Sequence, residues 1–374
     1  MKHVILGCGA LALAAGAAQA ERLDRSGQSI LPIFEPGNYA EVSFGSVNPS
    51  VSGGIGPLGS GNMTRRFWQA SVAYKQQLTE AFSLGFIYDQ PFGAHVDYPT
   101  GTGYPLEGTR ARLRSNAFTL LGNYRFENGF GIHGGLRLLQ QRASARVAVS
   151  PYYTYDVNGT SDEGLGYVVG VSYEKPEIAL RVALTYNSEI KTRLPTTETV
   201  ESVLGSSGPI HSTTPITTPQ SVNLDFQTGI APDTLLFGGI RWVDWSSYTI
   251  DPISYPDRCG APLASADCAP LIWYRDNSLT YTLGLGRKFT EAWSGSMAVT
   301  YEKNDSVTPA SNLGPVSGSW GLTLGARYET GPYIVSGGLN YTWLGNVTTN
   351  IGDFSTRFEG NHAVGLGLKL AYRF

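Results

Sequence analysis

The sequence predicts an all-β fold, a 14-stranded antiparallel transmembrane β-barrel with a short N-terminal inner, hatch-like segment. Three observations carry this. Only 15% of the 374 residues are charged, against 46 Gly and 21 Tyr, whereas soluble domains commonly carry about a quarter charged residues. No long apolar run occurs beyond the N-terminus, which excludes a helical membrane protein. Apolar residues alternate with small or polar ones instead, as in a barrel wall with lipid on one side and a polar lumen on the other. Abundant aromatics argue against disorder. The balance of 27 Lys+Arg against 30 Asp+Glu argues against a nucleic-acid binder.

Met1–Ala20 reads as a secretory signal. Lys2 and His3 precede an apolar stretch that ends in the A-x-A site Ala18-Gln19-Ala20. Cys8 follows Ile5-Leu6-Gly7, but too few apolar residues precede it for a lipoprotein box. Residues 21–37 come next, a charged run (Glu21 to Arg25) and then an apolar one (Ile30 to Phe34). This piece is too short for a plug domain. It either folds inward as a small hatch or hangs as a periplasmic tail. Residues 38–374 are left for the barrel.

Strands are expected near 38–49, 64–77, 80–90, 111–126, 129–147, 164–175, 177–190, 219–229, 233–246, 277–289, 293–303, 316–329, 331–344 and 361–374. The last is the clearest. Val364, Leu366, Leu368, Leu370, Tyr372 and Phe374 share one parity, and Gly365, Gly367, Lys369, Ala371 and Arg373 share the other. Short connections, such as Glu127-Asn128 and Ala231-Pro232, alternate with long ones at 50–63, 91–110, 148–163, 191–218, 247–276, 304–315 and 345–360. Outer-membrane barrels sort their loops this way, with short periplasmic turns and long external loops. An even strand count puts both termini in the periplasm.

Cys259 and Cys268 lie in a Pro/Gly/Ala/Asp-rich external loop, and export favours a disulfide between them. External loops also carry apolar clusters: Tyr98, Tyr104 and Leu106 in one, and Ile250, Leu271, Ile272, Trp273 and Tyr274 in another. These suit loop self-packing or solute capture. Enzyme signals are poor. His95, His133, His211 and His362 are scattered, and Gly170 to Glu174 fails the G-x-S-x-G pattern. Gly54 to Gly59 fits G-x-G-x-x-G but lies in a loop, and Asp156 to Glu163 misses the EF-hand pattern. No enzyme, metal or cofactor is expected.

Several segments resemble the FadL/TodX family of outer-membrane transporters for long-chain fatty acids or aromatic hydrocarbons. Ala183-Leu184-Thr185-Tyr186-Asn187-Ser188-Glu189-Ile190-Lys191 is similar to a family strand. So is Gly229-Ile230-Ala231-Pro232, followed by Arg241-Trp242-Val243-Asp244-Trp245-Ser246. Asp305-Ser306-Val307-Thr308-Pro309 is one residue tighter than the family's D-x-x-V-x-P-like element. One departure stands out: the family's hatch is longer and carries an N-P-A element that is missing here.

The resemblance implies passive uptake of long-chain fatty acids or other hydrophobic compounds, with no energy source. Pro91 and Gly93 weaken pairing in the third strand, and the family is known for a kink there. Gln90, Pro91, Phe92, Gly93 and Ala94 are thus candidates for a lateral gate, although Pro91 could simply begin a loop. Arg142 and Arg146 share a parity near the outer end of the fifth strand. Arg146 and Arg275 are the nearest matches to the family's basic residues, so Arg146, Arg275 and Arg142 are candidate carboxylate ligands. Arg142 and Arg146 would alternatively bind lipopolysaccharide phosphates or line a pore. The alternatives are a general diffusion porin for small polar solutes, an outer-membrane lipase and an adhesion barrel. Expected partners are a hydrophobic small molecule, outer-membrane lipid with lipopolysaccharide, and the barrel assembly machinery, which would read the C-terminal strand ending in Phe374.

Overall fold

A computed structural model describes residues 22–261, 264, 268–304, 311–351 and 354–374. The signal segment Met1–Ala20 and the element from Asp305 to Pro309 lie outside the described residues. Fourteen strands form the barrel. β1 is Tyr39–Ser50, β2 Phe67–Gln77, β3 Phe82–Asp89 with a continuation Gly93–Asp97, β4 Arg110–Arg125 and β5 Phe130–Val149. β6 is Asp162–Lys175 preceded by Tyr153–Gly159, β7 Leu180–Asn187 continued by Ile190–Ser202, and β8 Ser221–Ala231 preceded by Gly205–Thr218. β9 is Thr234–Val243, β10 Ser278–Lys288, β11 Trp293–Glu302, β12 Ser319–Thr330, β13 Tyr333–Leu344 and β14 His362–Arg373. Sequential neighbours pair antiparallel, and β1 closes the ring against β14 from Tyr39↔Arg373 to Ser50↔His362. Closure gives the first and last strands partners on both sides, which a bilayer demands because it offers their backbone no water.

Two stretches expected as external loops, 148–163 and 191–218, are mostly strand. Ile190–Ser202 pairs with Gly205–Thr218 on one side and Tyr153–Gly159 on the other. Its side chains keep period two: Ile190, Thr192, Leu194 and Thr196 are buried, whereas Lys191, Arg193 and Pro195 are exposed. Pro195 argues for a loop, but its carbonyl accepts the Thr160 N–H at 2.9 Å just past the end of the Thr196↔Gly159 ladder, where its own missing N–H is tolerated. The sheet of β5 to β8 is therefore taller than the neighbouring wall.

The two faces of the lower wall follow the bilayer. On β4, Phe118, Leu120 and Tyr124 point outward and Thr119 and Asn123 inward. On β5, Leu136 and Leu138 point outward and Arg137 inward. Toward the outer end the pattern inverts. Arg110, Arg112 and Arg114 of β4 and Arg142 and Arg146 of β5 are exposed on the outer face. On the inner face of the same strands stand Ala111, Leu113, Ala143, Ala145 and Val147. Outside, water and headgroups replace lipid tails at that height. Inside, the external loops fold over the mouth and need apolar surface to pack on.

That packing forms the larger hydrophobic core. Trp245, Tyr248, Tyr98, Tyr104 and Phe358 are almost fully buried in it. Tyr98 and Tyr104 stack at 5.7 Å, and the Tyr104 hydroxyl donates to Thr356 Oγ1 at 3.0 Å. Cys259 and Cys268 are joined in a disulfide. Glu198, fully buried on β7, ties the 247–276 loop to the wall. It accepts hydrogen bonds from the Tyr155 hydroxyl (2.8 Å), the Ser212 hydroxyl (2.5 Å) and the Ser254 N–H (2.9 Å). Each donor stranded by Glu198→Leu costs about 1–3 kcal/mol. Limited proteolysis should therefore cut this loop much faster in that variant while the barrel stays intact, and Glu198→Gln should largely restore protection. Equal cutting rates would mean that apolar packing alone holds the loop.

Candidate functional site

The wall is interrupted between β2 and β3. Their pairing runs only from Val72↔Tyr88 to Gln77↔Ser83, so residues 67–71 of β2 pair with β1 alone. On the other side of β3, pairing with β4 stops at Asp89↔Ala117 and resumes at Gly93↔Arg114. Three residues, Gln90, Pro91 and Phe92, face two on β4, which is a bulge. Side chains take over the lost ladder bonds. Ser115 Oγ donates to the Phe92 carbonyl (2.7 Å) and accepts the Phe92 N–H (2.8 Å). Gln90 Oε1 accepts the Ala70 N–H (3.2 Å).

The N-terminal segment meets this gap from inside. Asp24 forms an isolated antiparallel bridge with Phe92. The Arg25 N–H donates to the Pro91 carbonyl (2.8 Å), and the Gly93 N–H donates to the Leu23 carbonyl (2.9 Å). Residues 23–25 thus stand where β2 would have paired. The Arg25 guanidinium lies 3.9 Å from the Phe67 ring centroid, in space that a Cβ on Gly93 would claim. Burial first, then the like charges of Arg112 and Arg114, holds its pKa down at about 10. Among the described residues no carboxylate pairs with Arg25. A cavity inside the gap is lined by Arg25, Gln69, Ser71, Asp89, Gln90 and Lys369, among others.

Polar ties fix the segment along its length. Arg241 holds Asp24 Oδ2 with Nε (2.8 Å) and Nη2 (2.6 Å), and its Nη1 donates to Asn223 Oδ1 (2.6 Å). Both charged partners are nearly fully buried. Asn223 donates to the Gly27 carbonyl (2.9 Å), and Ser221 donates to Gln28 Oε1 (2.9 Å). Ser26 donates to Asp89. Lower down, Arg373 pairs with Glu35 (2.9 Å), and Lys75 donates to the Glu35 carbonyl (2.6 Å). Between these ties Ile30, Ile33 and Phe34 pack on Ala73, Ile87, Leu121 and Val168. The apolar run of the segment thus packs against the inner wall.

Above the segment, under the loops, lies a chamber of opposite character. Leu23, Ala94, Leu113, Ala143, Val157 and Leu271 are among the residues that line it. Its polar members are Thr196 and Thr214, with Ser144 and Arg112 contributed from outward-facing positions. Leu23 and Ala94 adjoin the gap, so chamber and gap are neighbours.

The five gate candidates, Gln90 to Ala94, all fall at this interruption. The three basic candidates do not converge. Arg142 and Arg146 lie on the outer face, and Arg146 pairs with Asp156 at 3.1 Å. Arg275 stacks over Trp273 in an external loop, 5.0 Å from the ring centroid. Among the described residues the buried guanidiniums are instead Arg137, Arg181, Arg241 and Arg327, with Arg25 largely enclosed at the gap. Sequence reasoning passed over Leu23, Asp24, Arg25 and Arg241. The one available signal was the charged run next to an apolar run at the N-terminus.

The sequence profile of the family described as "Outer membrane protein transport protein (OMPP1/FadL/TodX)" matches residues 36–315. Among solved structures, the fold is similar to a Pseudomonas aeruginosa FadL homologue, with 12% identity, TM-score 0.70 and 96% of each chain covered. It is also similar to the Pseudomonas putida toluene transporter TodX, with 12% identity, TM-score 0.68 and 92% of each chain covered. The CymD monoaromatic hydrocarbon channel aligns at 12% identity and TM-score 0.62, over 90% of this chain and 88% of that one. No curated protein matches by sequence.

Proposed function

The chain belongs to the OMPP1/FadL/TodX family of outer-membrane transport proteins, and we propose that it takes up small uncharged hydrophobic compounds passively and releases them sideways into the membrane. The observation that carries this is the apolar chamber beside a break in the barrel wall. A solute would enter through the loops, rest against Leu23, Ala94 and Leu113, and leave between β2 and β3 past Gln90 to Ala94. Residues 22–36 would act as the inner hatch, denying water and ions a straight path. The similar proteins TodX and CymD are a toluene transporter and a monoaromatic hydrocarbon channel, which fits a chamber with little charge.

A second reading, long-chain fatty acids, rests on Arg25, a cation at the exit without a carboxylate partner among the described residues. Uptake of labelled toluene and labelled oleate, by cells lacking their own transporters, tests both. Toluene uptake that survives Arg25→Gln supports the first reading. Oleate uptake that the same change abolishes supports the second. Uptake of neither, with the barrel folded, would remove both.

For assembly, the exposed terminal Phe374 extends the outward apolar row of β14 and would serve as the signal read by the barrel assembly machinery. Deleting Phe374 should lower the amount of folded barrel several-fold, seen as loss of heat-modifiable gel mobility. An unchanged amount would mean that the signal lies elsewhere.

A further inference from the structure

The outer face of β4 and β5 carries five guanidiniums in register. Arg110 stands opposite Arg146, Arg112 opposite Ser144, and Arg114 opposite Arg142. Like charges directly opposite one another on a sheet destabilise it unless something neutralises them. The protein neutralises only the outermost row: Arg146 pairs with Asp156 at 3.1 Å, and Asp97 lies 3.8 Å from Arg110 while holding Arg65. Among the described residues, Arg112, Arg114 and Arg142 pair with no carboxylate.

Beneath the cluster runs an apolar strip. The row Phe118↔Leu138 is its last, and Asn116↔Gln140 separates it from Arg114↔Arg142. Four residues of strand cover about 13 Å, or about 10 Å of height once barrel tilt is allowed for. The guanidiniums therefore stand at headgroup level in the outer leaflet, directly above side chains that face acyl chains.

We propose that Arg112, Arg114 and Arg142 form a binding site for the phosphate groups of an acylated, phosphorylated glycolipid of the outer leaflet, its acyl chains lying on the Phe118–Leu138 strip. Guanidinium forks match phosphate oxygens bidentately, and a phosphate dianion neutralises two of the three charges. The strip supplies what a free phosphate could not use. The site lies beside the wall gap, since Gly93 pairs with Arg114, so its lipid would be the first that a departing solute meets. The inference rests on the outer-membrane orientation of the barrel and stands whether or not the transport reading does.

The test is native mass spectrometry of the detergent-solubilised full chain titrated with bis-phosphorylated lipid A, comparing wild type with R112Q/R114Q/R142Q. Wild type should hold the lipid at least about tenfold more tightly than the variant, and R112K/R114K/R142K should fall between them. Heat-modifiable mobility checks that each barrel is folded, and single Arg142→Gln serves if the triple variant is not. Equal binding by wild type and a folded variant overturns the proposal. So does equal binding of dephosphorylated lipid A, which would leave only the apolar strip. Displacement of lipid A by equimolar inorganic phosphate would overturn it too, by making the ligand a free anion.

Discussion

Arg241→Met is expected to release the N-terminal segment from the barrel wall and raise ion conductance through the lumen. The change removes both bonds to Asp24 together with the donors to Ser221, Asn223 and Gln28. It leaves a nearly buried carboxylate without its cation, and breaking one side of such a pair costs about 3–5 kcal/mol. The remaining ties near Asp24 are single hydrogen bonds worth about 1 kcal/mol each, too little to keep the upper part of the segment seated. Planar-bilayer recording should show steady, larger currents, and protease should reach the segment. Asp24→Asn combined with Arg241→Met should be milder than Arg241→Met alone, because no charge is stranded. Unchanged conductance with a folded barrel would assign the hold to Ile33, Phe34 and the Arg373–Glu35 pair. High steady conductance in the wild type itself would favour the general diffusion porin.

The second large effect concerns the wall. Pro91→Thr with Gly93→Val restores a backbone N–H and two β-branched side chains to the interrupted strand. A Cβ at position 93 would lie 2.5 Å from the Arg25 guanidinium carbon, so Arg25 must swing away, which a flexible side chain can do. With β3 continuous, solute uptake should fall by about tenfold or more, while solute binding to the purified barrel changes little because the chamber is untouched. Preserved uptake would mean that solute leaves along the lumen, and the gap would be no exit.

The fold was legible because period two is a robust signal wherever lipid lies on one side and polar lumen on the other. Leu366, Leu368 and Leu370 against Lys369 is one such case. The tall strands beyond the membrane were not legible, since Pro195, Pro215 and the threonines around them read as loop while both sides of that sheet face other chemistry. Arg142 and Arg146 mislead for a related reason. A polar parity means lumen within the bilayer, but past Leu138 the solvent outside becomes water and headgroups, and the same parity then means exterior. The gap at Gln90 to Ala94 could be read from one proline and one glycine. Its partner, the backbone of Leu23 to Arg25, could not, because a single-residue bridge leaves no periodicity.

The inverted alternation also ranks the exits for a dissolved guest. The chamber is oily, and the zone beneath it is a mesh of paired ions and hydrogen bonds around Asp24, Asn187 and Arg241. A guest with about 200 Å² of apolar surface that moved down into water would lose about 5 kcal/mol, and crossing the mesh would also cost broken ion pairs. Moving sideways takes it past the polar lining of the gap and the headgroup zone beside Arg114 but ends in hydrocarbon, so most of that loss is avoided. Partitioning alone, with no moving part, would then give the traffic its direction.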